Sequence, residues 1–307
     1  MKKTAAVQVA STQGAAAIKS ISLFSEIKLL VKGIVLVMNV LPVFVGFVLA
    51  LYFTHGSLSA NIPLFILTMA GSTLVMAGAL ILNNWYEADL DEKMDRTKKR
   101  PTVTGTLQMN TVLWLGIGAS VLGMIMMLFT TMEAALYAFI GWFVYVVLYT
   151  FWSKRRFTLN TVIGSVSGAV TPLIGWAAIS SSYHIIPVMI SIILFIWQIP
   201  HTFAIAMRRY DDYKAAGVPM LPVVYGFGMT KRQMFVYVAA LLPLPFFMTS
   251  LGTAFVIVAT ILNIGFLFIS GIGFVTKNDH QWANGMFRAS LIYLTLLFMA
   301  LLVVAAI

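Results

Sequence analysis

Residues 62–101 read IPLFILTMAGSTLVMAGALILNNWYEADLDEKMDRTKKRP, and two regimes meet in them. From Ile62 to Leu82 the chain runs without a single charge. From Glu87 to Arg100 it is dominated by acids and bases. A run of about 20 apolar residues crosses the hydrocarbon core of a bilayer as a helix. Lipid offers no partners for backbone N–H and C=O groups, so such a run must satisfy them within itself. The stretch therefore predicts a membrane-spanning helix that ends at a charged, solvent-facing loop.

The rest of the chain repeats this pattern. Of its 307 residues 60% are hydrophobic and 10% charged, against about 25% charged in soluble domains, and the mean hydropathy is +0.93. The alternating ten-residue segments of a β-barrel are missing. We expect an all-α, polytopic membrane protein with nine spans near 28–53, 62–84, 111–130, 133–152, 161–180, 185–206, 233–250, 252–275 and 287–306. Residues 1–20 read as a mobile cytoplasmic tail, and residues 21–307 as one transmembrane domain. The tail carries Gln8, Ser11, Thr12 and Gln13 and is too polar for the core of a signal peptide. With no cysteine, a disulfide framework and thiolate metal or haem attachment are excluded.

Nine spans put all 20 Lys and Arg residues on one side of the membrane. The positive-inside rule then places the N-terminus in the cytoplasm and the C-terminus outside. The net charge of +10 thus reflects topology and calls for no nucleic-acid partner. Nine of the ten acids share the inner side, Glu133 being the exception, and topology does not require that bias. It marks two inner loops for chemistry.

In the first loop Asn83, Glu87 and Asp91 stand at i, i+4 and i+8, one face of a helix. Carboxylates there repel one another and sit at the negative end of the helix dipole. A divalent cation removes both penalties, and oxygen donors without His or Cys suit Mg²⁺. Mg²⁺ completes its shell with water and substrate phosphate. Arg96, Lys98, Lys99 and Arg100 come next as phosphate partners. A solvated mixed-charge loop is the plain alternative.

The second loop leaves the sixth span: Trp197-Gln198-Ile199-Pro200-His201, then Arg208, Arg209, Asp211, Asp212, Tyr213 and Lys214. Asp211 or Asp212 is the candidate ligand for a second Mg²⁺, two metals being able to clamp a diphosphate leaving group. His201 reads as a metal ligand, a proton carrier or an interfacial polar residue. Lys154-Arg155-Arg156, closing the fourth span, reads either as a lid over a diphosphate or as a topology and headgroup signal. Asn160, Ser165, Ser167 and Thr171 suit helix packing or a cavity wall.

On these residues the chain resembles the UbiA superfamily of intramembrane prenyltransferases. Asn83, Glu87 and Asp91 match its first motif, with Glu in the middle place where Asp is usual, and the match continues through Arg96-Thr97 and Arg100-Pro101. Within the superfamily it is similar to the branch that prenylates haem, over nearly the whole chain after the tail. The most specific stretches are Asn83 to Tyr86, Tyr149-Thr150, Lys154 to Arg156, Asn160 with Gly164, Pro172 with Gly175-Trp176, Trp197 to His201, and Asp212-Tyr213 through Gly217 to Val223. The chain departs at Thr171 and Thr202, where that branch has Pro and Phe. His201 and Arg208 stand where quinone-type relatives have aspartates, so the second motif carries over only onto Asp211 or Asp212.

The resemblance implies farnesyl diphosphate and protoheme IX as substrates, in a lipid setting, with haem as substrate rather than fixed cofactor. It implies Mg²⁺ on Asn83, Glu87 and Asp91, and diphosphate on Arg96, Lys99, Arg100, Lys154, Arg155 and Lys214. It sets His201 toward the haem iron and Arg208 or Arg209 toward the propionates. It further implies a plasma-membrane location and a downstream partner in haem A synthase or terminal-oxidase assembly. The rival readings are a quinone-precursor prenyltransferase and a transporter. A transporter would carry ionisable groups at mid-membrane, whereas here they crowd at one face.

Overall fold

The computed structural model describes residues 23–306. The predicted tail, with Lys2, Lys3 and Lys19, lies outside the described residues, as does Ile307. The chain is a bundle of helices with no strand among the described residues. In order they are α1 (Leu23–Leu30), α2 (Gly33–Phe53), α3 (Ile62–Tyr86), α4 (Ala88–Glu92), α5 (Pro101–Thr104), α6 (Met109–Leu128) and α7 (Met132–Phe143). A π-helical segment, Val144–Ser153, prolongs α7. Then come α8 (Asn160–Ala169), α9 (Thr171–Ala177), α10 (Ile185–Arg208), α11 (Tyr210–Ala215), α12 (Leu221–Ala239), α13 (Thr253–Ile272) and α14 (Asp279–Ala306).

Among the described residues seven segments are long and apolar enough to cross a membrane: α2, residues 59–86, α6, α7 with its π extension, α10, α13 and α14. Two of the nine predicted spans are not among these seven. The fifth, near 161–180, is broken at Val170 into α8 and α9, with Pro172 in the first turn of the second piece, where a missing N–H costs nothing. The seventh, placed at 233–250, is shifted. Its helix ends at Ala239, and residues 244–251 form short 3₁₀ turns after Pro243 and Pro245. That helix begins at Leu221, bends at Gly226 (φ 76°), and carries Lys231 inside it. Lys231 is nearly buried in an ion pair with Asp279, at the start of α14. The first span also starts later than predicted, because the backbone turns at Lys32 (φ 50°, ψ 54°) between α1 and α2. The ninth starts earlier, at Asp279, so Arg288 lies within the helix.

The outward faces of α6, α13 and α14 expose Trp114, Ile261, Phe268, Ile292 and Met299, an apolar girdle suited to lipid. Inside the bundle, apolar burial on both sides gives no preference between helices, and close backbone approach decides the packing. α2 and α9 cross where Gly46 meets the Pro172 carbonyl and Gly175 meets the Val43 carbonyl. A Cβ on either glycine would overlap that oxygen. Glu133, the one acid predicted on the outer side, accepts hydrogen bonds from the Ser182 amide (3.0 Å) and hydroxyl and so ties the start of α7 to the turn after α9.

Candidate active site

The acidic ladder forms, but not on one continuous helix. α3 ends at Tyr86, Glu87 leaves helical geometry (φ −98°, ψ 12°), and α4 restarts at Ala88. The i→i−4 bonds from Glu87 N to Asn83 O and from Asp91 N to Glu87 O span the break. Asn83, Glu87 and Asp91 stay together and are all buried, at 1%, 2% and 3% exposure.

Each rung has its own cation. Lys32 Nζ donates to Asn83 Oδ1, Lys154 Nζ pairs with Glu87 Oε2 at 2.6 Å, and Arg100 pairs with Asp91 Oδ2. Burial would push the Glu87 carboxyl up, but the Lys154 and Lys32 ammoniums outweigh it and hold Glu87 below the usual range. At Asp91 burial wins over Arg100 and the carboxyl is pushed up. Burial would lower the Lys154 ammonium, but Glu87 prevails and raises it. Lys32 is driven well down by burial, with Arg100 acting in the same direction.

Helix ends aim these groups. The Asn84 amide donates to the Leu30 carbonyl (2.6 Å), filling an orphan acceptor at the end of α1 and fixing the turn that presents Lys32. Lys32 itself holds a left-handed backbone that non-glycine residues adopt at a cost. The wide π turns set the bond from Lys154 N to Tyr149 O and deliver Lys154 to Glu87. Thr150 donates to the Tyr145 carbonyl (2.8 Å) and accepts from Asn83 Nδ2 (3.0 Å), which leaves Asn83 Oδ1 facing the cations.

The fit of these residues to Mg²⁺ rests on their unused valence. Glu87 Oε1 is buried without a hydrogen-bond partner, a costly state for a carboxylate oxygen and the state expected of a metal ligand. Two carboxylates and an amide oxygen suit a cation that completes its shell with phosphate and water. Among the described residues no group of three or more His, Asp or Glu gathers to hold a metal.

The second acidic loop does not add to this ladder. Asp211 is exposed. Asp212 Oδ1 accepts from the Asp95 amide (3.2 Å), so one of the two aspartates predicted to hold a second metal ties the two charged loops together. Beneath that bond Leu90 and Met94 of the first loop share an apolar cluster with Tyr213, Val218 and Met220 of the second. Arg155 turns away from the ladder to a two-pronged pair with Asp89 (2.7 and 2.8 Å), lying over the Tyr86 ring. Arg96 and Lys99 are exposed on the loop, and Lys214 is exposed above the Tyr210 ring.

His201 is stacked between Trp197 (4.7 Å) and Phe287 (5.2 Å). Its Nδ1 lies 2.7 Å from Ser290 Oγ, which donates its single proton to the Phe287 carbonyl (2.6 Å). Nδ1 must therefore be the donor, and Nε2 keeps the lone pair. Arg208 lies over the Phe287 ring (4.2 Å) and donates to Asn284 Oδ1, while Arg209 is exposed. Lys32, Thr150 and Ser290 receive no site role from the sequence. In the sequence Lys32 stands out only as one of two lysines, with Lys28, at the entry to the first span.

A cavity of about 240 Å³ lies between α2, α3, α7 with its π segment, α8, α9 and α10, and Leu80, one turn before Asn83, and Tyr149, whose ring is 5.4 Å from Lys154 Nζ, bring its wall up to the ladder. Its wall is largely apolar, with Tyr145 and Tyr149 near the ladder. The hydroxyls of Ser72, Ser165, Ser167 and Thr171 are turned back onto carbonyls of their own helices, so they offer a ligand little polarity.

An apolar chamber inside a membrane bundle, one helical turn from a cluster of buried carboxylates and cations, defines an intramembrane enzyme that handles an anionic head and a hydrocarbon tail together. The chain belongs to the UbiA prenyltransferase family, whose model matches residues 39–306. Among curated relatives, a protein of Oceanobacillus iheyensis named protoheme IX farnesyltransferase is 52% identical over 287 residues, 93% of this chain and 91% of that one. Protoheme IX farnesyltransferase 2 of Bacillus subtilis is 52% identical over 265 residues, 86% and 87% of the two chains. The fold is shared with a solved digeranylgeranylglyceryl phosphate synthase (TM-score 0.76, 18% identity, 92% of this chain and 98% of that one). It is shared too with a UbiA homolog from Archaeoglobus fulgidus bound to GPP and Mg²⁺ (TM-score 0.65, 17% identity, 92% and 100%).

Proposed function

We propose that this membrane prenyltransferase moves the farnesyl group of farnesyl diphosphate to a vinyl group of protoheme IX, giving haem O and diphosphate. One observation carries the reading: a buried ladder with an unpartnered Glu87 oxygen, ringed by Lys32, Arg100 and Lys154, stands one helical turn from an apolar chamber. The donor class comes from that pairing. The choice of haem is supported by the names of relatives about half identical over most of their length.

Asn83, Glu87 and Asp91 would hold Mg²⁺, which when bound supplies Lewis-acid charge to the diphosphate oxygens. Lys154, Arg100 and Lys32 lie where they can turn from the ladder to those oxygens as negative charge builds on the leaving group. Preorganised donors of this kind lower the barrier to ionisation of the allylic C–O bond. Arg96, Lys99 and Lys214, exposed on the two loops, gather the anion, and Arg155 steadies the loop through Asp89. The chamber holds the farnesyl tail and keeps water from the allylic cation until the electron-rich vinyl group attacks it. Water then captures the resulting cation and leaves a hydroxyl. His201 offers Nε2 to the haem iron, and Arg208 and Arg209 face the propionates. Asp211 and Asp212 take no part in metal binding in this reading.

The ladder marks the cytoplasmic face, because the cations collect there. The N-terminus is then cytoplasmic, the C-terminus outside, and the membrane the plasma membrane. Haem A synthase or the assembling haem-copper oxidase receives the product.

The test is to incubate purified protein in lipid with protoheme, farnesyl diphosphate and Mg²⁺ and to analyse haem by mass spectrometry. Hydroxyethylfarnesyl haem is expected, and it is lost with EDTA or in Asp91→Ala. Unmodified haem from an intact, haem-binding preparation overturns the acceptor assignment.

A further inference from the structure

The chamber has a floor, and its position is matched to one chain length. On α3 the cavity wall runs from Leu80, one turn below Asn83, to Ser72. Asn83 and Ser72 are eleven residues apart, which at the α-helical rise makes about 16 Å. That is the length of three isoprene units laid extended. On the opposite wall Tyr149 stands at the mouth, 5.4 Å from Lys154 Nζ, and Ala138 lies eleven residues deeper.

At the far end Ala138 and Ile174 line the cavity and also belong to an apolar cluster with Val43, Phe47, Val75 and Met127. Exposure across these six residues is 0–3%. Packing there is dense, and α2 and α9 are locked at Gly46 and Gly175. A longer tail would have to enter that cluster and displace side chains that have no room to move.

We propose that Ala138 and Ile174 form the stop that selects a three-unit prenyl chain. The terminal methyls of a farnesyl tail rest against them. A four-unit tail overruns them, and a two-unit tail leaves the end of the chamber unfilled. This deepens the prenyl-transfer reading above and rests on it.

The experiment offers geranyl, farnesyl and geranylgeranyl diphosphate, with protoheme and Mg²⁺, to the full-length protein in lipid and measures kcat/KM for each. Wild type is expected to prefer farnesyl. Ile174→Ala deepens the chamber and should raise geranylgeranyl relative to farnesyl by about ten-fold or more, the scale on which apolar pockets discriminate such differences. Ala138→Leu raises the floor and should lower farnesyl relative to geranyl by a similar factor, making geranyl its preferred donor. An active wild type whose two variants keep the wild-type order overturns the floor alone. A wild type that transfers none of the three chains overturns the prenyl-transfer reading with it. Should Ala138→Leu lose activity with all three donors, the geranylgeranyl-to-farnesyl ratio of Ile174→Ala decides, a rise supporting the stop and an unchanged ratio overturning it.

Discussion

Replacing Lys154 by methionine keeps most of the side chain's length and removes its charge. The ammonium is 2.6 Å from Glu87 Oε2, and the two side chains are 13% and 3% exposed. Glu87 has no second partner to fall back on, since its other oxygen is already unsatisfied. Breaking a buried pair from one side costs about 3–5 kcal/mol, because a charge is left uncompensated. For a chain of this size that corresponds to a fall of roughly 5–8 °C in the unfolding midpoint. Arg155→Met is the control. Its pair with Asp89 is equally short, but the partners are 33% and 57% exposed, so the loss should stay near 0–1 kcal/mol. Thermal unfolding in detergent, with and without Mg²⁺, reads both variants. Mg²⁺ should raise the midpoint of Lys154→Met by more than that of wild type, because a metal on Glu87 restores the missing cation. In haem prenylation Lys154→Met should be about 10²–10³-fold slower, the usual effect of losing one preorganised charge donor. A Lys154→Met protein that melts with wild type and turns over at the wild-type rate refutes the placing of Lys154 at the ladder.

Gly175→Ala drives a Cβ into the Val43 carbonyl oxygen and should cost about 3 kcal/mol or more by overpacking, whereas Gly118→Ala on α6 meets nothing within 4 Å and should be neutral or slightly stabilising; thermal unfolding of the pair checks the α2–α9 crossing. Ser290→Ala frees His201 Nδ1 and with it the choice of tautomer, so the absorption bands of bound ferrous haem should shift and weaken while Ser290→Thr retains them. Unchanged bands in the alanine variant would remove His201 from the iron.

The span pattern was legible because twenty apolar residues in a row admit few alternatives, and the ladder because Asn83, Glu87 and Asp91 recur at the helical interval. The break at Glu87 was hidden, since i→i−4 bonds carry the ladder across it. The π turns of residues 144–153 were hidden too, because a wide turn has no composition of its own. Both late helices were misplaced for a shared reason. Hydropathy counts residues and cannot tell a straight crossing from one that prolines beyond Leu242 cut short, or discount a lysine at position 231 neutralised by Asp279. Asp212 was read as a ligand because acids near phosphate chemistry invite that reading, yet its partner is a backbone amide 117 positions away. No local pattern announces such a contact.

That contact has a consequence for the order in which the protein is made. Glu87 and Lys154 are 67 positions apart, Asp95 and Asp212 117. At a synthesis rate of about 5–20 residues per second, Glu87 waits roughly 3–13 s for its lysine, and the first loop about 6–23 s for the aspartate that fastens it. During that interval Lys32 and Arg100 are the cations already at the ladder, and Glu87 stands without the ammonium that pairs with it in the finished protein.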